Sequence, residues 1–546
     1  MNTKFVLILI LTIALVLRII GISNNPPSMY GDELTMVMDV NSILHTGYDT
    51  TGKFLPLNFT MGGGRPVGYG YFSLPFVAIF GPQALSIRLL SVLSGVGIVA
   101  LIYLLGKILF SKQIGLLSAA LIAISPWDLS LSRGGFETHF ALFLATLGIV
   151  LFLMGDKKPW LYVISALSFG LSINTYATYK LNLFLFVPFL MLFVDLRVRL
   201  SSAKNRVYLT AFAIILFLFM LLLAAQALVN NSEERFLSLN VFSKSEISSQ
   251  ITQTVNEQRN LSTNNKLISI FLHNKYWEYG FILGESYFNN FSLDFLFLNG
   301  DRNPRHNMVS SSAFYMAESI SILLGIVFLF RKGNYKRIFF LTSWLLIAPI
   351  ATTLLLEVHG LRSSFMLVPL TLLSALGISY LWSIRGAYVV KPIIFILFFS
   401  LVIQFILICE NLYFLSPNKY SRFWAYPAKE ASEIAMKNKD KYDYIFLADR
   451  IDAVEFAYPV YAFLEPTKIL EQNRNKLKIG ENQFRKYGNI YIGSISDNGV
   501  ESFLESFPGT KLYIGPEGDG KYLNSKFDTI LGKDLVRALV VLEVKK

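Results

Sequence analysis

Long apolar runs separated by short polar loops constrain this chain more than any other feature. A helix needs roughly 20 apolar residues to span a bilayer. Eleven runs approach or reach that length: 4–22, 84–109, 113–127, 138–155, 160–175, 180–195, 207–229, 312–330, 336–356, 362–383 and 391–414. They carry almost no charge near their centres. The chain is therefore predicted to be a polytopic α-helical membrane protein with eleven transmembrane helices.

Composition agrees with this interpretation. Of 546 residues, 53% are hydrophobic and 16% are charged, whereas soluble proteins carry about 25% charged residues. The net charge of +12 is explained by basic inner loops, so membrane lipids are expected as partners and nucleic acid is not. The single cysteine, Cys409, excludes an intrachain disulfide framework and a cysteine metal site. The first run lacks a small-residue cleavage site and is predicted to be a retained anchor helix.

The distribution of Lys and Arg predicts the orientation, because cytoplasmic loops collect these residues. With the N-terminus in the cytoplasm, the inner loops hold Lys107, Lys112, Lys157, Lys158, Arg197, Arg199, Lys204, Arg206, Arg331, Lys332, Lys336, Arg337, Arg385 and Lys391. The short outer loops hold few basic residues, among them Arg133, Lys180 and Arg362. Loops 23–83 and 230–311 and the tail 415–546 then lie outside a plasma membrane.

The tail differs from the rest of the chain in composition. A helix-like stretch, Pro427 to Lys437, is followed by strand-like runs among Gly, Pro and charged residues. These runs are Tyr444–Leu447, Ile490–Ile492, Leu512–Ile514 and Ala538–Val544. The predicted organisation is a transmembrane module at 1–414 and a small extracytoplasmic α/β domain at 415–546.

The most suggestive polar motif is the carboxylate pair Asp32 and Glu33, about ten residues after the first apolar run. Adjacent carboxylates next to a membrane span suit a catalytic base or a metal ligand. The alternative is a helix start, with Asp32 as the N-cap and Glu33 in the first turn.

A glycine-rich stretch from Gly62 to Tyr71 contains Arg65, which suits a phosphate or a carboxylate. It lacks the Gly-Lys-Ser/Thr ending of a Walker loop, and a flexible surface turn is the alternative. Further along, Arg133 and Glu137 share a face if the stretch is helical, as a site or as a local salt bridge.

Other polar residues lie at helix ends on the same predicted face. Tyr176 and Lys180 occupy a short turn, where interfacial anchoring is the alternative to binding. Arginines suit a phosphate ligand; those near the later helices are Arg302, Arg305 and Arg362. His306 and His359 lie beside them, but no zinc-type histidine spacing is present, and no metal ligand is assigned.

In order and spacing, these motifs resemble the GT-C superfamily of polyprenyl-phosphate-sugar-dependent membrane glycosyltransferases, in particular protein O-mannosyltransferases and aminoarabinose transferases. The resemblance covers residues 1–370 well and the remainder loosely. It rests on Gly31-Asp32-Glu33, Arg65-Pro66, Leu74–Gly81, Arg88–Ser91, Ile124–Trp127, Ser132-Arg133, Gly170–Ser172 with Tyr176, Phe297–His306 and His359–Arg362.

The resemblance implies an inverting transfer of sugar from a polyprenyl-phosphate donor to a lipid, glycan or protein acceptor. Asp32 would be the general base, with Glu33 supporting it or positioning the acceptor. Donor phosphate or sugar would be bound by Arg65, Arg133, Glu137, Tyr176, Lys180, Arg305, His306 and Arg362. A divalent cation is left open, because the Asp-X-Asp metal motif of the oligosaccharyltransferase branch is missing.

Two non-enzymatic functions are compatible with the same spans. A flippase or exporter of lipid-linked sugar predicts a polar pathway and internal repeats, and neither is evident in the sequence. A scaffolding membrane protein with a glycan-binding external domain is the other alternative.

Overall fold

The computed structural model describes residues 2–60, 64–230, 241–243, 245–262, 266–356, 358–384, 390–496 and 499–545. Gly62, Gly63 and Arg385, named above, lie outside these ranges. The chain divides into two compact units. The first contains Met1–Arg18, Leu93–Ser132 and Phe136–Ile408, and the second contains Ile19–Val92, Arg133–Gly135 and Cys409–Lys546. The predicted domain boundary between residues 414 and 415 stays a prediction.

Helices make up most of the chain before residue 420. Their bounds are Thr3–Ile19 (α1), Gly31–Thr46 (α2), Gly68–Phe80, Ala84–Leu109, Lys112–Ile124, Pro126–Ser132, Glu137–Met154, Leu161–Ile173, Ala177–Phe193, Leu196–Ser201, Ala203–Asn230, Ser245–Leu261, Lys266–Leu272, Lys275–Asn289, Met316–Arg331, Tyr335–Ile347, Ile350–Thr353, Leu367–Ser383, Val390–Glu410 and Ser416–Lys419. A helix therefore occupies each predicted apolar run.

Five helices within the described ranges are long and apolar enough to cross a membrane, or six if one bent pair is a single span. The five are Ala84–Leu109, Glu137–Met154, Ala203–Gln226, Ser364–Ser383 and Val390–Lys419. The bent pair joins Lys112–Ile124 to Pro126–Ser132 at 59°. A multi-pass helical protein is thus confirmed, whereas the count of eleven spans and their orientation stay predictions.

Two helices of the first unit approach each other through glycine. A Cβ added to Gly377 would lie 1.7 Å from the carbonyl oxygen of Ser321, and one added to Gly325 would lie 1.9 Å from that of Leu373. Backbones this close leave no room for a side chain. Small residues allow such crossings in membranes, where packing replaces the hydrophobic effect as the attraction between helices.

Ionisable side chains are buried together at or next to the ends of three predicted apolar runs. Arg18, in α1, donates a hydrogen bond of 2.5 Å to Asp128 Oδ2, and His139 Nε2 lies 2.9 Å from Asp128 Oδ1. All three side chains are fully buried. Charged groups persist inside a protein only when they are paired in this way. These interactions fix α1 to the bend at Pro126.

In the second unit, α2 is followed by a short hairpin and a helix. Strand β1 (Asn58–Phe59) pairs antiparallel with strand β2 (Arg65–Pro66). The ring of Phe59 lies under Gly70 of the following helix, where an added Cβ would be 2.7 Å away. The hairpin thereby places Arg65 against α2.

The tail forms a mixed sheet with helices. Its strands are β3 (Tyr444–Ala448), β4 (Leu477–Ile479), β5 (Asn482–Tyr487), β6 (Ile490–Gly493), β7 (Thr510–Pro516), β8 (Asp528–Leu531) and β9 (Arg537–Lys545), in the order β4-β5-β6-β3-β7-β9-β8. The helices are Tyr426–Asn438, Val454–Tyr461, Pro466–Arg474 and Val500–Glu505. The predicted helix and four predicted strands are confirmed.

The parallel strands lie at the centre of this sheet. Strand β3 pairs in parallel with β6 and β7, and the outer pairs are antiparallel. Residues Ile445 to Ala448 are fully buried. A continuous apolar strand is typical of a parallel sheet covered on both faces.

Candidate active site

The predicted carboxylate pair lies in the first turn of α2. Tyr30 is the N-cap residue and makes no capping hydrogen bond with its side chain. Asp32 and Glu33 are therefore inside the helix, and the interpretation of Asp32 as the N-cap is wrong. Negative charge in a first turn is favoured by the helix dipole.

Glu33 is bound through both carboxylate oxygens. Arg88 Nε and Nη2 donate to Glu33 Oε1 and Oε2, each at 2.8 Å, and the Gly135 amide donates to Oε1 at 2.7 Å. Both charged side chains are fully buried. Such a two-bond pairing of guanidinium and carboxylate has strong geometric preference. Glu33 is thereby held by two other parts of the second unit, through Arg88 and Gly135.

Arg88 also binds the backbone of the loop that precedes α2. Its guanidinium donates to the carbonyl oxygens of Ile22 at 3.1 Å, Pro26 at 2.9 Å and Ser28 at 2.5 Å. A planar group with five N–H donors can satisfy several acceptors at once. The loop entering α2 is thus built around one buried cation.

Asp32, by contrast, is open to solvent. Its side chain is 54% exposed, and Arg65 Nη1 lies 3.6 Å from its Oδ1. Arg65 Nη1 donates at 2.9 Å to the backbone carbonyl of Asp32, and Nη2 donates to Thr35 Oγ1. Arg65 is therefore anchored to the α2 backbone, and the Asp32 carboxylate is the accessible member of the pair.

Arg133 lies between helices and is buried. The helix before it ends at Ser132 and the next begins at Glu137, so the expectation of one helical face shared by Arg133 and Glu137 is wrong. Arg133 Nη2 donates to the carbonyl oxygens of Ile20 at 2.8 Å and Asn25 at 2.9 Å. Its guanidinium in this structure fixes the same entry loop as Arg88.

The first unit contains a second set of polar contacts, next in sequence to several predicted residues. Thr138 Oγ1 donates to the Leu361 carbonyl at 2.8 Å, and Tyr179 Oη lies 3.0 Å from Ser364 Oγ. These bonds bring the helix starts at 137 and 177 to the turn 361–364. The predicted residues Glu137, Tyr176, Lys180 and Arg362 are close in sequence to these hydrogen-bonded residues.

Asp301 organises the histidines of the same unit. Its Oδ2 lies 3.1 Å from His306 Nδ1 and 4.0 Å from His359 Nδ1, and it accepts the Gly360 amide at 2.6 Å. The two imidazole rings lie 4.3 Å apart. One ligand-type atom from each of these three residues falls within 4.8 Å of the others. His359 Nδ1 is buried and has no hydrogen-bond partner among the described residues.

The charges around this cluster have opposite effects on its members. Burial and the positive charges of His306, Arg362 and Arg305 together lower the pKa of His359 to about 3, against the opposing effect of Asp301. Burial raises the pKa of Asp301, but its bonds and charge interactions with the histidines outweigh this and leave the pKa below its usual value. The cluster therefore combines a carboxylate with a neutral imidazole, and Arg305 and Arg362 lie near enough to act on it.

Sequence reasoning did not include Arg88, Asp301 or His359 among the site residues, although each is in a motif quoted above. Arg88 carried a usable signal, since an arginine just inside an apolar run is rare and needs a partner. No such signal marks Asp301 in the sequence, because the spacing of Asp301, His306 and His359 is not that of a known metal-binding motif.

Part of this sequence and its fold are similar to those of known proteins. Residues 64–224 match the family model described as dolichyl-phosphate-mannose-protein mannosyltransferase. No curated protein sequence matches the chain.

Two crystal structures share the fold. ArnT from Cupriavidus metallidurans, bound to undecaprenyl phosphate, is 12% identical with a TM-score of 0.55, over 99% of this chain and 98% of that one. The oligosaccharyltransferase of Archaeoglobus fulgidus, tethered with an acceptor peptide, is 13% identical with a TM-score of 0.52. That alignment covers 84% of this chain but only 63% of the oligosaccharyltransferase.

The family model matches residues 64–224, and both crystal structures are similar to this chain in fold. The resemblance inferred from the motifs is confirmed at this level.

Proposed function

We propose that this protein transfers a sugar from a polyprenyl-phosphate donor to an acceptor, with Asp32 as the general base. One observation carries the proposal: two adjacent carboxylates have opposite environments. Glu33 is fully buried and paired, whereas the Asp32 side chain is 54% exposed and its pairing with Arg65 is loose. A general base must reach the proton that it removes, and Asp32 is the member of the pair that can do so.

The proposed reaction is a single displacement at the anomeric carbon. The acceptor oxygen forms the new bond to this carbon while its proton passes to Asp32. The bond from the anomeric carbon to the phosphate oxygen breaks, and the polyprenyl phosphate leaves with the bonding electrons. Attack from the face opposite the leaving group inverts the configuration.

The first-unit residues are proposed to serve the donor. Arg305, Arg362 and Lys180 are the candidates for stabilising charge on the departing phosphate, which is where fixed cations accelerate such a transfer. Glu137 and Tyr176 are proposed to contact the sugar. The supporting observation is that the Leu361–Ser364 turn connects the helix starts that carry several of these side chains.

In the second unit, Glu33, Arg65 and Arg133 are proposed to position Asp32. Glu33 is bound to Arg88, and Arg65 to the α2 backbone. For Arg65 and Arg133 this differs from the phosphate contact expected from the sequence. Their bonds to backbone carbonyls are the reason for the reassignment.

Location and substrate class follow from the charge distribution and the relatives. The bias of Lys and Arg supports a plasma-membrane protein with a cytoplasmic N-terminus and its reaction on the outer face. Undecaprenyl phosphate bound to ArnT supports a polyprenyl phosphate as the leaving group here. A lipid, a glycan and a protein all remain acceptor candidates.

Asp301, His306 and His359 are proposed to hold a divalent cation. One carboxylate and two imidazoles suit a first-row transition metal such as zinc. The buried Nδ1 of His359, which has no hydrogen-bond partner in the described ranges, fits a ligand atom. Such an ion would supply positive charge beside Arg305 and Arg362.

The decisive experiment measures transfer of radiolabelled mannose from polyprenyl-phosphate mannose to a panel of lipid, glycan and peptide acceptors. Asp32→Asn should abolish transfer and retain donor binding, while Asp452→Asn, a matched change at an exposed carboxylate of the same unit, should behave as wild type. Full activity of Asp32→Asn would remove Asp32 from the role of base. Movement of the labelled lipid across vesicles without any transfer would instead support the flippase.

A further inference from the structure

The entry loop of α2 is contacted by aromatic residues from the far end of the chain. Trp424 is 2% exposed and covers Arg88, whose guanidinium carbon lies 5.4 Å from the ring centroid. The edge of Tyr30, the N-cap of α2, meets the same indole at 5.3 Å and 90°. Trp424 thus touches both the N-cap and the cation that holds Glu33.

A second contact holds the same loop a few residues earlier. Tyr461 Oη lies 2.8 Å from Ser28 Oγ and accepts the Met29 amide at 3.2 Å. Gly31 lies against Ala453, since an added Cβ would be 3.7 Å from the Ala453 side chain. The helix Val454–Tyr461 therefore packs on residues 28–31, immediately before Asp32.

We infer that Trp424 is a positioning residue for Asp32, and that the tail of the chain fixes the geometry of the proposed base. The inference rests on the proposed function, since it concerns how the base is held. The indole covers a desolvated guanidinium, the setting in which cation–π attraction is strongest. It also excludes water from the Arg88–Glu33 pair, and an ion pair in a low-dielectric site is held more tightly than one in water.

Removal of the Trp424 indole should loosen the first turn of α2. Glu33 and Asp32 are adjacent, so any freedom gained by Glu33 is passed to Asp32 through the backbone. A general base displaced by about 1 Å loses up to two orders of magnitude in rate. Because Trp424 contacts Arg88 and Tyr30, which hold the start of α2, its removal should lower kcat and leave the KM for the donor unchanged.

The test compares Trp424→Ala with Phe423→Ala, a neighbouring aromatic that is 47% exposed. Hydrogen exchange of the full-length protein in lipid nanodiscs should be about tenfold faster over residues 28–37 in Trp424→Ala than in wild type. Phe423→Ala should match wild type. In the transfer assay, kcat should fall about tenfold in Trp424→Ala, and Trp424→Phe should recover part of it because a smaller aromatic face remains.

Equal exchange and equal kcat in Trp424→Ala and Phe423→Ala would overturn the inference, as would faster exchange with unchanged kcat. If Trp424→Ala does not fold, Tyr461→Phe decides by the same two measurements, because it removes only the hydroxyl that holds Ser28 and Met29. The exchange measurement does not depend on catalysis. An active Asp32→Asn variant would therefore refute the proposed base, whereas an unchanged exchange rate would refute the positioning contact.

Discussion

Arg88 and Glu33, which are 55 residues apart in the chain, form a buried pair with two hydrogen bonds of 2.8 Å. Neither side chain is accessible to solvent. Because of this pair, the Glu33 carboxylate has a structural role, and the adjacent Asp32 carboxylate is the accessible one. The stability of the pair is therefore the condition for the proposed role of Asp32.

Replacing only one member of the Arg88–Glu33 pair should lower the free energy of unfolding substantially. Arg88→Met leaves a buried carboxylate without its cation, and such a change costs about 3–5 kcal/mol. The double variant Glu33→Gln with Arg88→Met removes both charges and should be more stable than Arg88→Met alone. Thermal unfolding in detergent measures this. A double variant less stable than the single one would contradict the assignment of the pair as a compensated buried charge.

The glycine crossing in the first unit should not tolerate a methyl group. In Gly377→Ala the new Cβ would lie 1.7 Å from the Ser321 carbonyl oxygen, so the two helices must separate. We expect a loss of about 1–3 kcal/mol in unfolding free energy. Gly280→Ala is the matched control, because it meets nothing within 4 Å and lies inside a helix. It should gain up to about 1 kcal/mol from helix propensity, and equal stabilities of the two variants would refute the crossing.

Asp39 predicts a pH dependence of stability. Burial raises its pKa to about 6, against hydrogen bonds from Thr50 that lower it. A carboxyl whose folded pKa is raised favours folding most when it is protonated. Its contribution is therefore fully present below the unfolded pKa of 3.8 and is lost as the pH rises to about 6.

Asp39→Asn keeps an acceptor for Thr50 and removes this titration. Its stability advantage over wild type should grow between pH 4 and pH 6 to about 3 kcal/mol and stay constant above. Thermal unfolding at several pH values checks this, with Asp452→Asn as an exposed control. A difference between Asp39→Asn and wild type that does not vary with pH would exclude the shifted pKa.

The Asp301 cluster predicts a stoichiometry of metal binding. After incubation with zinc and gel filtration, the wild-type protein should retain about one ion per chain. His359→Ala and Asp301→Asn should lose it. His273→Ala is the matched control, because His273 bonds Gln258 in the same unit and belongs to no such cluster within the described ranges. Elemental analysis decides, and undiminished zinc in His359→Ala would rule out this site.

Much of the architecture followed from local sequence patterns. Apolar runs predicted the positions of the helices, because hydrophobic length and helix formation are both properties of a contiguous segment. Strand-like runs bounded by turn residues predicted four strands of the tail in the same way. Partners were harder to predict: the bond from Arg88 to Glu33 spans 55 residues, and that from Arg18 to Asp128 spans 110.

The sequence by itself determined a helical membrane protein with an α/β tail and a conspicuous pair of carboxylates at Asp32 and Glu33. Only the tertiary structure decided that Glu33 is buried and Asp32 is exposed, and that the tail covers Arg88 with Trp424. The physical reason is that burial and ion pairing depend on which distant segments pack around a residue. Two adjacent carboxylates are chemically alike in sequence, and their surroundings alone make them different.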